Sequence, residues 1–354
     1  MKATIKIISA LAMMAFAAPA FAGGVSVYDD GESKLKIGGK VFADITSFKS
    51  TNGAGATTNK VNAARIERAY LTAKYSFDKN WMMRITTDVT LAKDLNAGGK
   101  NNNIFLKYAY LEGKLAGKAA VLRLGQSHTP WIDYEQGLWG HRYMSKVMID
   151  TNGYDASSDV GIGLKGELAD GMVGYWATLT NGAGYSHIDR TGKTMDFDAR
   201  FGIYPVEGLT FDVQFRNGYK GTKTFVANAN GAETKNTLMQ VMATYGMGKD
   251  FRVGANYATN KKTPTATATS VKEKAMAVWA WGKFNESFGA FGRFESTKND
   301  AVTVAKMTHY AVGVEYFPVK HVSLALGLDN TKATLGGAAN GKTSRIGLWS
   351  ETKF

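Results

Sequence analysis

Residues 209–216 read Leu-Thr-Phe-Asp-Val-Gln-Phe-Arg, a strict alternation of apolar and polar side chains. Successive side chains of a β-strand point to opposite faces, so this period of two predicts a strand. Pro205 and Gly208 come just before the segment and predict a short turn at its start. The stretch therefore predicts a strand with water on one face and an apolar environment on the other.

The same alternation recurs along the whole chain. It is clear in segments 34–45, 68–77, 81–91, 197–204, 251–257 and 322–329, whereas the faces of 104–112 and 275–283 stay unassigned. Short turns are predicted near residues 79, 115, 170, 207, 248, 286 and 319. Polar stretches that predict longer loops alternate with these turns, at 51–60, 95–103, 182–194, 217–236, 260–271, 297–307 and 331–343. Short turns on one side and long loops on the other are typical of outer-membrane barrels.

Aromatic residues separate a membrane barrel from the alternative, a soluble β-sandwich. They gather beside the short turns, as at Phe77/Trp81 and Phe284/Phe288, where membrane strands carry their interfacial girdle. The fold prediction is all-β: a transmembrane antiparallel β-barrel of about 16 strands. A barrel of that size encloses an aqueous channel.

The N-terminus predicts export. A basic start is followed by a short apolar run that ends Ala20-Phe21-Ala22, the pattern of a secretory signal peptide. Residues 1–22 are therefore predicted to be the signal peptide and 23–354 a single transmembrane β-barrel domain. The predicted location is the outer membrane of a Gram-negative bacterium, with outer-membrane lipid as a partner.

One long stretch breaks the regular rhythm. Strand-like runs at 121–125 and 159–163 enclose more than thirty residues without a clean period. Long loops of this kind are uncommon and usually functional. We expect the stretch to fold back into the hollow barrel and to narrow the pore with residues of about 128–157.

Other chemistry finds little support in the sequence. Cysteine is absent, and the five histidines show no H-x-x-x-H spacing, so no metal site, cofactor or catalytic residue is predicted. The G-x-G-x-x-G run at 161–166 lies inside a predicted strand, which is the wrong context for a dinucleotide site. The formal charge of +13 is compatible with nucleic acid, anionic lipid or small anions, and export excludes nucleic acid.

Several short motifs resemble Gram-negative porins, in particular the phosphate-selective porin O/P family. Gly125–Trp131 is similar to that family's Gly-Gln-x-x-x-Pro-aromatic motif at the start of the third extracellular loop. Residues 159–163 resemble its Arg-Asp-x-Gly strand, with Ser158 at the Arg position, and residues 313–318 resemble its penultimate hairpin. The resemblance implies a sixteen-stranded homotrimeric porin whose third loop narrows the pore.

The predicted function is a water-filled pore for passive diffusion of small hydrophilic solutes, with a preference for anions such as phosphate or other oxyanions. Two alternatives stay open: a structural sleeve or interaction partner for a periplasmic protein, and, less favoured, an outer-membrane hydrolase. Rings of Arg and Lys favour anions at a narrow point. The predicted pore-lining bases are Arg123, Arg142, Lys146, Arg68, Lys74, Arg84, Arg200, Arg216, Arg252 and Arg293.

Overall fold

The structure, a computed structural model, describes residues 24–90, 103–185, 194–221, 234–264, 269–301 and 303–354. The predicted signal peptide, residues 1–22, lies outside the described residues. The strands of the described residues are β1 (Val25–Asp29), β2 (Lys34–Asn52), β3 (Thr57–Ser76), β4 (Trp81–Thr90), β5 (Asn103–Ala116), β6 (Ala120–His128), β7 (Ser158–Leu168), β8 (Val173–Thr180), β9 (Asp196–Ile203), β10 (Leu209–Gly218), β11 (Thr234–Met247), β12 (Phe251–Pro264), β13 (Val271–Lys283), β14 (Phe288–Asn299), β15 (Ala305–Tyr316), β16 (Val322–Leu335) and β17 (Ala338–Lys353).

Strands β2 to β17 form one closed antiparallel barrel of sixteen strands. Each strand pairs with the next along the chain, and β17 pairs with β2 to close the wall. The short β1 pairs with residues 34–37 of β2, and β17 pairs with residues 40–52 of the same strand. Strand β1 therefore extends the edge next to β17 and does not add a seventeenth strand to the barrel wall. The predicted fold class is confirmed.

The alternation places apolar side chains outside and polar ones inside. On β10, Val213 is 49% exposed on the outer surface whereas its neighbour Gln214 is 2% exposed. On β16, Leu326 is 61% exposed and Ala325 is 0% exposed. Because a slip of one residue would exchange the two faces, these values agree with the register expected from the sequence.

This register predicts where a charge is tolerated. Arg at Val213, near the middle of an outward-facing strand, should cost about 2–4 kcal/mol of folding free energy in a bilayer. Arg at Gln214 points into the barrel, towards Asp155 of the inner loop and Asp198, so it should be far better tolerated than Arg at Val213. Folding into lipid vesicles followed by urea titration measures both variants. Equal losses for the two would mean that this strand does not present Val213 to lipid.

The predicted short turns near 79, 115, 170, 207, 248, 286 and 319 are confirmed, as connections at 77–80, 117–119, 169–172, 204–208, 248–250, 284–287 and 317–321. A one-turn 3₁₀ helix (Ala169–Gly171) forms one of them. Gly208 has φ of 81° in another, and a Cβ there would lie 1.9 Å from the Gly246 carbonyl oxygen. The tight turn therefore requires glycine at this position.

On the opposite rim the strands are longer than the sequence predicted. The polar stretch 51–60 belongs largely to the ends of β2 and β3, with only 53–56 left as the connection. Likewise β16 and β17 take up most of 331–343. Thr, Asn and Lys mark solvent exposure there, and a strand that rises above the membrane is exposed on both faces. Residues 91–102, 186–193, 222–233 and 265–268, where other long loops were predicted, lie outside the described residues.

Candidate functional site

Residues 129–157, called the inner loop, connect β6 to β7. The sequence suggested a stretch without periodic structure, but the loop contains two short helices, α1 (Ile132–Trp139) and α2 (Met148–Thr151). Trp131 and Trp139 are 0% exposed. No helix among the described residues is long and apolar enough to cross a membrane.

Hydrogen bonds hold the inner loop against the inner face of one side of the barrel. Their partners on the wall belong to β10, β13 and β15. These bonds are Tyr134 OH to Asp212 Oδ2 (2.9 Å), Trp281 Nε1 to the Leu138 carbonyl (2.9 Å) and Tyr143 OH to Glu315 Oε1 (2.7 Å). These contacts place the loop on the inner side of the barrel wall.

A buried ion cluster adds a charged anchor. Arg293 of β14 donates to Glu295 Oε1 at 2.5 Å and to Glu135 Oε1 of α1 at 3.3 Å. The three side chains are 0% or 1% exposed. Because a buried charge is costly without a partner, each member of this cluster depends on the others.

On the opposite side an open space, called the passage, separates the inner loop from the wall. The wall side belongs to β2, β3, β4, β5 and β17, and α1 borders the loop side. The charged side chains that line it are Lys40, Arg84, Arg142, Lys353, Asp133 and Glu351. Four bases therefore face two acids.

The two acids of the passage already have partners. Glu351 lies 3.4 Å from Lys40 and also pairs with Lys353. Asp133 accepts a hydrogen bond from Tyr108 OH at 2.7 Å. Arg84 and Arg142 are thus the guanidinium groups of the passage that these acids do not bind directly.

Arg84 is positioned by aromatic and polar contacts. Its Nε donates to Thr86 Oγ1 at 3.0 Å, and its guanidinium lies 4.7 Å from the centre of the Tyr108 ring. Its Nη1 is 3.5 Å from Nε2 of His128. Among the described residues, no carboxylate lies within 4.0 Å of it. Arg84 is 7% exposed, so it borders the passage with a charge that no carboxylate of the described residues neutralises directly.

Arg142 connects the passage with a second open space. That space is lined by charged residues of the inner loop and of β3, β15, β16 and β17: Glu67, Arg142, Lys146, His309, Asp329 and Arg345. Arg142 approaches Asp150 only at 3.8 Å, and Lys146, which is 45% exposed, lies 3.4 Å from the same carboxylate. Arg142 therefore lines both the passage and the second open space.

A row of bases lies beside the passage on the wall. Lys36 pairs in register with Lys74, and Lys74 pairs with Arg84, so three strands carry bases at directly opposite positions. On the next strands, Arg123 donates to Glu112 at 2.6 Å, and Lys165 lies 3.4 Å from the same carboxylate. Like charges at paired positions repel each other, so this row costs stability. Such a cost is expected where a positive potential serves function.

Three of the predicted pore-lining bases lie behind the inner loop. Arg200 donates to the Pro130 carbonyl at 3.1 Å, Arg216 lies 3.2 Å from Asp155, and Arg293 reaches Glu135. Counted over backbone and side chain together, each of these residues is 2% or 3% exposed. They point into the barrel as the alternation requires, but the loop covers them, so they anchor the loop instead of facing the passage.

The other predicted bases keep partners on the wall. Arg68 lies 2.8 Å from Asp88, Arg123 pairs with Glu112, and Arg252 donates to Thr244 Oγ1 at 3.0 Å. Lys74 belongs to the basic row. Of the ten predicted bases, Arg84 and Arg142 are those that line the passage.

Sequence reasoning missed several bases that the structure places on the inner face, among them Lys353 and Arg65. Lys353 lines the passage, and it shares its face with Glu351 two residues earlier, so continued alternation was the available signal. Arg65 lies 3.0 Å from Asp44 and therefore points inward. Strict alternation would place it on the opposite face from Arg68, which also points inward. The reason is a β-bulge: Phe42 pairs with Arg68, but the next residue, Ala43, pairs with Ile66, so the register shifts by one residue. The sequence does not indicate this bulge.

A family model described as Gram-negative porin matches residues 9–348. The chain belongs to the Gram-negative porin family. Solved structures agree in fold: the anion-selective porin from Comamonas acidovorans superposes with a TM-score of 0.67 at 13% identity, covering 91% of this chain and 100% of that one. OmpF of Salmonella typhi, in complex with daunomycin, gives 0.61 at 13% identity, covering 93% and 100%.

OmpT of Vibrio cholerae, folded in vitro, gives a TM-score of 0.58 at 10% identity, covering 91% of this porin and 100% of that chain. No curated protein matches the sequence. Family and fold together make this porin an outer-membrane channel for small hydrophilic solutes, embedded in lipid. The predicted function and location are confirmed at that level.

Proposed function

We propose that this porin is an anion-selective channel whose constriction is formed by the inner loop. The observation that carries the proposal is the charge of the passage: among the described residues, four bases, Lys40, Arg84, Arg142 and Lys353, line it together with two acids, Asp133 and Glu351. Low-dielectric walls focus the field of charges at a narrow point, so a small local excess there outweighs scattered charges elsewhere. Rings of Arg and Lys of this kind select anions.

The basic row adds to the same potential. Lys36, Lys74 and Arg84 bring positive charge to one side of the barrel, and Arg123 with Lys165 shares a single carboxylate. The solved structure from Comamonas acidovorans, which shares the fold, is described as anion-selective. Small oxyanions, phosphate among them, fit this charge.

The remaining proposals concern processing, assembly and chemistry. We propose that residues 1–22 are removed on export, that 23–354 is the mature barrel, and that the protein assembles as a homotrimer. One solved relative, OmpT of Vibrio cholerae, is described in a trimer form. We also propose that this porin is a channel without catalytic activity, because its family and fold are those of channels.

A salt gradient across a planar bilayer tests the selectivity. Purified protein should give a reversal potential of anion-selective sign at low salt. The preference should weaken as salt rises, because the Debye length shrinks from about 10 Å at 0.1 M to about 3 Å at 1 M. A channel that prefers cations at low salt would contradict the proposal and leave only a general porin.

A further inference from the structure

Aromatic side chains stand beside the bases of the passage. Phe42, Tyr70 and Tyr108 all line it. Phe42 is 2% exposed, and its ring meets Tyr70 edge-on with 6.0 Å between ring centres. Tyr108 is 5% exposed and stacks on His128 at 4.0 Å. Of these three residues Tyr70 is the one that is only partly buried, so a solute in the passage can touch its ring.

Positive charge lies next to these rings. Lys40 Nζ is 5.7 Å from the centre of the Phe42 ring, and the Arg84 guanidinium is 4.7 Å from that of Tyr108. Cations at such distances are attracted to the ring face. The wall therefore offers a flat apolar surface and a cation side by side, a combination that a hydrated inorganic anion uses only in part.

The loop side of the passage leaves room for a flat group. Gly137 and Gly140 line it without side chains, and Gly140 ends α1 with φ of 77°, a conformation that favours glycine. Arg142 follows two residues later and presents a guanidinium from the loop. A guanidinium binds carboxylate in a planar, two-bonded geometry.

We propose that the passage binds aromatic monocarboxylates more tightly than anions of the same charge without an apolar ring. The inference rests on the anion selectivity proposed above. The ring stacks on or against Tyr70, and the carboxylate contacts Arg84 or Arg142. A favourable aromatic pair contributes about 0.5–1.5 kcal/mol beyond buried area, which corresponds to roughly a two- to tenfold difference in affinity.

Block of the chloride current tests the proposal. Benzoate and glucuronate are both six-membered-ring monocarboxylates, but only benzoate has an apolar, planar ring. In about 0.1 M KCl near neutral pH, benzoate should halve the single-channel chloride conductance at a concentration roughly two- to tenfold lower than glucuronate. A bilayer without protein controls for any effect of benzoate on the lipid.

Variants of Tyr70 assign the site. Tyr70→Phe keeps the ring and should keep the preference for benzoate, whereas Tyr70→Ser should abolish it. Tyr70→Leu, which keeps apolar volume without a flat ring, gives the same test if the serine variant folds poorly. A preference that survives both Ser and Leu would overturn the assignment to Tyr70.

The wild-type comparison separates the two proposals without any variant. An anion-selective channel that benzoate and glucuronate block equally would overturn the aromatic preference and leave the anion selectivity intact. A cation-selective channel would overturn the proposed function itself. Stronger block by benzoate in an anion-selective channel supports both.

Discussion

Replacement of Arg293 by Met should lower the free energy of unfolding by about 3–5 kcal/mol, because it removes the counter-charge of the buried Glu135 and leaves Glu295 dependent on His309, 3.5 Å away. Arg293 is the cation that lies between Glu135 of the inner loop and Glu295 of the wall, and all three are 0% or 1% exposed. Urea titration of protein refolded into lipid vesicles measures the loss.

Arg65→Met is the matched control. Arg65 is 29% exposed, and its partner Asp44 also binds Arg345 at 2.9 Å, so the carboxylate keeps a counter-charge when Arg65 is removed. Arg65 is itself partly exposed and its removal leaves no unpaired charge, so we expect a loss of about 1 kcal/mol. Similar losses for Arg293→Met and Arg65→Met would show that burial of the cluster does not set its contribution.

A triple replacement separates charge from packing. In Glu135→Gln, Arg293→Met, Glu295→Gln, no buried charge is left unpaired, so most of the stability lost in Arg293→Met should return. If the triple variant is as unstable as the single one, the side chain of Arg293 acts through its volume. Retention of the channel conductance would then show whether the loop remains in place.

The sequence was sufficient for the barrel because alternation is a local property. The pattern at 209–216 and its repeats predicted the faces of β10 and β16, and Val213 and Ala325 lie on the expected sides. A turn needs only a few residues of the right type, so the short turns on the rim that carries 77–80 and 204–208 were also predictable. The length of the strands above the membrane was not predictable, because polar residues there occur in strands and in loops alike.

The passage was harder to predict because it depends on contacts between distant segments. Arg200, Arg216 and Arg293 have the alternation of lumen residues, but their exposure depends on where residues 130–155 of the loop lie. The sequence alone leaves Arg123 without a partner, but in the folded barrel it binds Glu112, which lies eleven residues away on the paired strand. Which bases keep a free charge is thus a property of the folded barrel.

The same contacts change which bases we expect to set selectivity. Arg123, Arg142 and Lys146 are among the pore-lining bases that the sequence predicted, but Arg123 is paired with Glu112 and Lys146 shares Asp150 with Arg142. Arg84 has no such partner among the described residues and lines the passage with Arg142. Lys40 lines the passage too. Arg84 and Arg142 are therefore the pair to change.

The double variant Arg84→Glu, Arg142→Glu should move the channel from anion towards cation preference. Two unit charges about 4 Å apart interact by about 1 kcal/mol even at the dielectric constant of bulk water, and by more near a low-dielectric wall. A change of sign at both positions should therefore alter the anion-to-cation permeability ratio by about tenfold or more. The reversal potential in a salt gradient measures this ratio.

Lys34→Glu, Lys49→Glu is the matched control, because it changes the total charge by the same amount away from the passage. Lys34 lies at the start of β2 and pairs with Asp29, and Lys49 lies on the exposed rim of the same strand. At moderate salt, charges more than a Debye length of about 8–10 Å from the ion path are largely screened, so the control should change the ratio by less than about twofold. Equal shifts in the two double variants would mean that the charge of the whole barrel sets selectivity, and the passage would lose its special role.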